Sequence, residues 1–256
     1  MNIGEAISKG FGTAKKSVSL VLLLFVFGFI FSLLNTFLNP QTAAGAEAAP
    51  PSPIMIVIGV VFIFLTIFIQ AGSMGYVRDL LKSGNANLGS FTSSGGKYYL
   101  RLFLLGLVVS LVVGVFVLLA ALSVAFLRDA LAPVGVILAI FLGALGVYFV
   151  ILLFLSPYAA VVDEKGVGES IKISMKLVKK NILTLLGMSV LLILIGFGIG
   201  MVLGAILAGI SILIKTGMAS QVVFALLSSL VNSFLGIVVT AAFMSFYLSL
   251  SDRNNT

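Results

Sequence analysis

Apolar residues fill this chain in six long runs, at about 17–38, 54–76, 100–127, 133–155, 182–213 and 221–249. Each exceeds the roughly 18 residues that a helix needs to cross a bilayer core of about 30 Å. The runs are too long and too uninterrupted for barrel strands, which alternate over about 10 residues. Lipid satisfies no backbone N–H or C=O, so each run is predicted as a helix. The expected fold class is all-α: a polytopic integral membrane protein with six transmembrane helices. Polar punctuation supports the divisions. Asn39–Pro53 is Pro/Ala-rich and reads as an irregular loop. Arg128 to Pro133 reads as a short hairpin, with Pro133 in a first helical turn. Ser156-Pro157 is expected to end or kink the fourth span.

Between the fourth and fifth runs the pattern changes. In GVGESIKISMKLVKKN, the apolar residues Val167, Ile171, Met175, Val178 and Ile182 are spaced 4, 4, 3, 4. Glu169, Lys172, Lys176, Lys179 and Lys180 fall on the opposite face. This predicts an amphipathic helix, its basic face toward headgroups and its apolar stripe toward acyl chains or the bundle. The N-terminus repeats the device. Gly4–Val18 aligns with Gly168–Ile182 at five identities in fifteen, and Ile3, Ile7, Phe11, Ala14 and Val18 keep the same spacing. A third, weaker copy lies in Asn87–Leu102, where Arg101 falls in the place of Lys16 and Gly95-Gly96 is expected to interrupt the stripe. Gly4, Gly89 and Gly168 are 85 and 79 residues apart. The reading is one transmembrane domain, 1–256, built of three units, 1–82, 83–162 and 163–256. Each is an interfacial segment followed by a two-helix hairpin. Any segment beside a membrane can become basic and amphipathic without duplication, so spacing alone leaves both origins open.

Charge orients the spans. The chain is 61% hydrophobic and 9% charged. Of its 15 Lys and Arg residues, only Arg128 and Lys215 lie on one side of the expected bundle; the other thirteen lie on the side of the two termini. The positive-inside rule then places both termini in the cytoplasm, in the cell (inner or plasma) membrane of a prokaryote. The first apolar run is expected to be a span and not a cleaved signal, because no small-residue cleavage site follows it. The net charge of +7 would suggest nucleic acid in a soluble protein. Here the cations flank membrane segments, so the expected partner is anionic lipid headgroups at the cytoplasmic face, and no nucleic acid. Lys15, Lys16, Lys172, Lys176, Lys179 and Lys180 would make that contact. The same helix could instead dock a cytoplasmic protein, such as the ATPase of a transporter.

The run SPYAAVVDEKGVGESIKISMKLVKKN resembles a pattern in the membrane domain of membrane-anchored glycerophosphoryl diester phosphodiesterases and in related six-span prokaryotic proteins. There a span ends near a proline, an acidic–glycine turn follows, and a glutamate-led amphipathic helix comes next. The resemblance covers the whole chain in span count and about 26 residues in motif. The soluble phosphodiesterase domain of those enzymes has no counterpart here, so none of their catalytic residues is carried over. What the resemblance implies is a lipid-associated bundle. Mitochondrial carriers also have three hairpins with interfacial helices, but Asn39-Pro40 and Arg128-Asp129 do not match their proline–acidic–basic motif.

Candidate chemistry is sparse. There is no Cys and no His, which removes thiol chemistry and the commonest general base and metal ligand. No Asp, Glu, Lys or Arg occupies the centre of a span, which argues against a proton relay or a buried ion-pair gate. Asp163-Glu164 reads as a solvated loop. No catalytic, cofactor-binding or metal residue is therefore expected. Gly196, Gly200, Gly204 and Ala208 form a small-residue face for helix packing, within the chain or at a homo-oligomer seam. Gly106, Ser110 and Gly114, and Gly135, Ala139 and Gly143, suggest the same on two other spans. Ser228, Asn232 and Thr240 share one face of the last span, and Gln70 lies on the second. These are interhelical glue or the lining of a polar cavity. The functional expectation is a non-catalytic membrane protein, a lipid-associated scaffold or accessory protein. The alternative is a transporter or permease subunit for an apolar or amphipathic substrate.

Overall fold

The computed structural model describes residues 1–38, 53–127, 131–214 and 218–255. Among these residues it is helical nearly throughout, with no strand. The helices are α1 (Ile3–Lys16), α2 (Val18–Leu38), α3 (Pro53–Ser83), α4 (Leu88–Phe126), α5 (Ala132–Leu153), α6 (Ser156–Val162), α7 (Val167–Ile214) and α8 (Met218–Asn255). The expected loop at 39–52, and Arg128 and Lys215, lie outside the described residues.

Five helices are long and apolar enough to cross a membrane, or six if the bent pair α1 and α2 counts as one span. Their side chains bear this out. Ile137 and Ile193 are each 68% exposed, and Leu111 is 66% exposed. In water each would forfeit much of its burial energy, at about 25 cal/mol per Å². Against hydrocarbon that loss vanishes, so these are membrane surfaces and the chain is a membrane protein.

Four features of the sequence decide where the helices break. Asn2 caps α1: its Oδ1 accepts the Glu5 N–H at 2.8 Å while the Glu5 carboxylate accepts the Asn2 N–H at 3.0 Å, a reciprocal capping box. At Ser17 the chain turns by 82° into α2, and the Ser17 hydroxyl donates back to the Thr13 carbonyl at 2.8 Å. Pro157 has no N–H to give, and the fourth span ends before it at Leu153, with the short α6 following. Asn181 departs from helical geometry inside α7 (φ −130°, ψ 24°) and divides its amphipathic first part from the apolar remainder. The fifth span therefore begins where the apolar run begins.

Gly95-Gly96 departs from expectation. α4 runs unbroken through both. The buried positions Phe91, Ser94, Gly95, Tyr98, Leu102 and Leu105 fall on one helical stripe, so Gly95 belongs to a packed face, Gly96 lies outside it, and neither interrupts the helix.

Two compact units are present, Met1–Gly96 with Leu186–Thr256, and Lys97–Leu185. Their limits fall inside α4 and α7, away from the divisions at 82/83 and 162/163. In the first unit α8 is the common partner, packed against α1, α2 and α3. Its segment Ala241–Tyr247 is buried at every position. Close approach there depends on missing side chains. A Cβ at Gly10 of α1 would lie 2.6 Å from the Val238 carbonyl oxygen, and one at Gly72 of α3 would lie 2.8 Å from that of Phe91. A Cβ at Gly75 would run into Ser94, and one at Gly95 would sit 2.7 Å from the Phe68 ring. In the second unit α4 and α5 form a hairpin. Gly135 lies against Ser123, whose hydroxyl donates to the Gly135 carbonyl at 3.2 Å, and Gly146 lies against Phe116.

Candidate functional site

α1 and the first part of α7 each bury one face and expose the other, and the buried stripe is rotated slightly from the apolar series in the sequence. In α1 the buried residues are Ala6, Ile7, Gly10, Thr13 and Ala14, and they pack on α8. Ile3 and Phe11 are half-buried, and Val18 is exposed. Small residues have taken the inner face because α8 comes so close at Gly10. Lys9, Lys15 and Lys16 are exposed. In α7, Ser170, Ser174, Leu177 and Val178 are buried, while Glu169, Lys172, Lys176, Lys179 and Lys180 are exposed.

Ser174 shows why this segment is held. Its hydroxyl donates to the Leu152 carbonyl at 2.7 Å and accepts the Leu155 N–H at 3.1 Å. Those backbone groups lie at the α5–α6 break, where they would otherwise lose a partner in a dry interior. The amphipathic helix thus repairs the break that Pro157 imposes.

The turn before α7 differs from the solvated loop expected at Asp163-Glu164. The Glu164 carboxylate accepts from Lys97 Nζ at 2.7 Å and from the Tyr98 hydroxyl at 2.8 Å through one oxygen, Oε1. Arg101 donates to the Glu164 carbonyl at 2.8 Å. Glu164 also holds a left-handed backbone, φ 54°. An acid inside an otherwise ordinary turn gave no warning of this. The available signal was the cluster Lys97, Tyr98 and Arg101 on one side of α4.

Among the described residues, no side chain or backbone lies against the small-residue face at Gly196, Gly200 and Gly204. A Cβ at any of the three would meet nothing within 4 Å, and Ala208 is exposed. The glycines that do mediate packing are Gly10, Gly72, Gly75, Gly95, Gly135 and Gly146. Only Gly135 was among those singled out by spacing. Gly106, Gly114 and Gly143 are likewise open.

The candidate cavity residues are not buried. Gln70 and Asn232 are exposed, and Ser228 and Thr240 are half-buried. Ser228 donates along its own helix, to the Phe224 carbonyl at 2.7 Å. Their neighbours Ser229 and Ser233 are buried, Ser229 beside Gly28 of α2. None of the four lines the cleft described next.

That cleft belongs to the first unit. It encloses about 1300 Å³ between α1, the end of α3 and the last turns of α8. Lys9, Lys16 and Lys82 line it, with Glu5 and Asp252. Ser8, Thr13, Ser245 and Ser249 add hydroxyls. Ser245 is 5% exposed, and its Oγ has no hydrogen-bond partner among the described residues. Among the described residues no group of acids forms a metal cluster.

No curated protein and no solved structure matches the chain. A family model does match, over residues 1–250, and its description is a domain of unknown function (DUF7847). With nearly the whole chain matched, this protein belongs to that family.

Proposed function

We propose that this is a non-catalytic, lipid-associated membrane protein, a scaffold or accessory component of a prokaryotic cell membrane with both termini cytoplasmic. Six spans cross the bilayer in this reading, α1 counting as an interfacial helix beside α2. The observation that carries it is the division of the α7 segment. Ser170, Ser174, Leu177 and Val178 are committed to protein packing, while Lys172, Lys176, Lys179 and Lys180 stay exposed. A basic face that takes no part in the fold is available to anionic headgroups, whose surface potential attracts it within a Debye length.

The threefold repeat has support of the same kind. In the alignment of the three segments, Ala6, Phe91 and Ser170 correspond, as do Gly10, Gly95 and Ser174, and Thr13, Tyr98 and Leu177. All nine are buried. Ser17 and Asn181, where the first and third helices break, also correspond. The resemblance to the membrane domain of membrane-anchored glycerophosphoryl diester phosphodiesterases fits this reading and adds no residue role.

The test is quantitative. Purified protein carrying Lys172, Lys176, Lys179 and Lys180→Gln should bind fewer anionic lipids than wild type in native mass spectrometry, with a shallower salt dependence. Unchanged binding would reject lipid contact at this face. Orientation has its own test. The chain has no cysteine, so Lys176→Cys gives a single labelling site, and ready reaction with an impermeant reagent outside intact cells would overturn the topology.

A further inference from the structure

We propose that the cleft between α1, α3 and α8 is a binding site for one phosphodiester anion, the group that membrane lipids carry at their headgroups. This deepens the lipid-associated reading and rests on it.

Three features define the site. It is a formed concavity of about 1300 Å³, larger than most small-molecule pockets and open enough to admit a headgroup from the side. Lys9, Lys16 and Lys82 supply three positive charges, and Glu5 and Asp252 supply two negative ones. The lining is net positive, which complements a phosphodiester anion. Glu5 is also occupied in the α1 capping box, at 3.0 Å from the Asn2 nitrogen, which keeps its carboxylate at the rim of the helix end.

The third feature is independent of charge. Ser245 lines the cleft, is almost wholly buried, and its Oγ finds no partner among the described residues. A buried hydroxyl without a partner is uncommon because desolvation is uncompensated. Rotated about its Cα–Cβ bond toward the cleft, it would donate to a phosphate oxygen there. The lysines would add charge-assisted bonds to the same group. Close contact of Gly10 with Val238 fixes α1 on α8, and so fixes Lys9 and Lys16 at this wall.

The shared chemistry has two sources, a lipid headgroup or a free phosphate. Full-length protein in neutral detergent is titrated calorimetrically with dihexanoyl phosphatidylglycerol, and separately with inorganic phosphate. The expected result is one saturable lipid site. The double variant Lys9→Gln with Lys16→Gln should weaken it about tenfold or more, and Ser245→Ala by a few-fold, the range set by one to three lost charge-assisted or hydroxyl bonds. Lys172→Gln with Lys176→Gln should reduce the weak, non-saturating lipid uptake at the basic helix and leave the saturable cleft site in place. If inorganic phosphate competes at equal concentration, the anion chemistry holds and free phosphate is the ligand; if it does not compete, the headgroup is. Wild type without saturable binding of either probe overturns the site. So do cleft variants that bind as wild type does. If binding is lost only in the α7 variant, the cleft is rejected while lipid association at the basic helix stands. Ser245→Ala removes one buried oxygen and no hydrogen bond to a described residue, so it leaves the fold of the unit in place.

Discussion

Removing the Glu164 side chain tests whether the turn before α7 is fastened or merely solvated. Its carboxylate accepts from the Tyr98 hydroxyl at 2.8 Å, and the Tyr98 side chain is fully buried. A hydrogen bond to a charged group contributes about 1.5–3 kcal/mol. The carboxylate is 48% exposed, so solvent screening takes the figure to the low end, about 1–1.5 kcal/mol. The Lys97 contact lies at the surface and adds no weight to the sum. The Arg101 bond goes to the main-chain carbonyl and survives substitution. Backbone conformation enters separately. At φ 54° a residue with a Cβ is disfavoured by about 1 kcal/mol relative to glycine. Glu164→Ala loses the bond and keeps the backbone penalty, whereas Glu164→Gly loses the bond and sheds the penalty. The expected stability order is therefore wild type, then Glu164→Gly close behind, then Glu164→Ala lower by about 1 kcal/mol. A double-mutant cycle of Glu164→Ala with Tyr98→Phe, read by reversible unfolding in mixed micelles, should give a coupling of about 1 kcal/mol that persists at high salt. A coupling near zero, or Glu164→Ala more stable than Glu164→Gly, would refute the reasoning.

Ser174→Ala should destabilise the protein by about 1–3 kcal/mol, because the Leu155 N–H loses its acceptor in a buried site; hydrogen exchange at Leu155 should accelerate, and an unchanged rate would count against the repair of the break. Gly95→Ala and Gly96→Ala form a matched pair, since a Cβ at 95 meets Phe68 at 2.7 Å and one at 96 meets nothing within 4 Å. The first should destabilise by about 1–3 kcal/mol through overpacking. The second should stabilise by about 0.5–1 kcal/mol through helix propensity. Melting temperatures moving in the same direction would contradict the packed stripe.

The spans were legible because hydrocarbon imposes a length and a composition that any crossing helix must meet. The breaks were partly legible. Pro157 cannot donate, and both amphipathic segments end where polar charge gives way to an apolar run. The contacts between helices were not legible. Regular spacing of Gly196, Gly200 and Gly204 states that one face of α7 is smooth, but not that a neighbour lies against it. The glycines that matter are decided by which helix comes near, which is long-range information. Gly10 sits beside α8 in the run Ala6, Gly10, Ala14, small residues four apart, whereas Gly95 sits beside α3 in no such run, so spacing alone does not separate packed glycines from open ones. The cleft was hidden for the same reason. Lys9 and Lys82 are 73 positions apart in sequence, and only the fold brings both to one wall. Ser245 reads as one more small residue in an apolar helix until its missing partner is seen.

The middle segment separates packing from surface chemistry. Phe91, Gly95 and Tyr98 keep the buried register of α1 and of the first part of α7. Its outer positions are Thr92, Ser93, Gly96, Lys97 and Leu100, and its one lysine is paired with Glu164 at 2.7 Å. The flanking segments expose Lys15 with Lys16, and Lys172, Lys176, Lys179 with Lys180. All three segments lead into apolar spans from the same side of the sequence pattern. The middle segment is basic too, since Arg101 falls in the place of Lys16, but its cations are turned to the fold: Lys97 pairs with the Glu164 carboxylate and Arg101 donates to the Glu164 carbonyl at 2.8 Å. One packing register therefore carries cations that fasten a turn in the middle segment and cations left exposed in the other two.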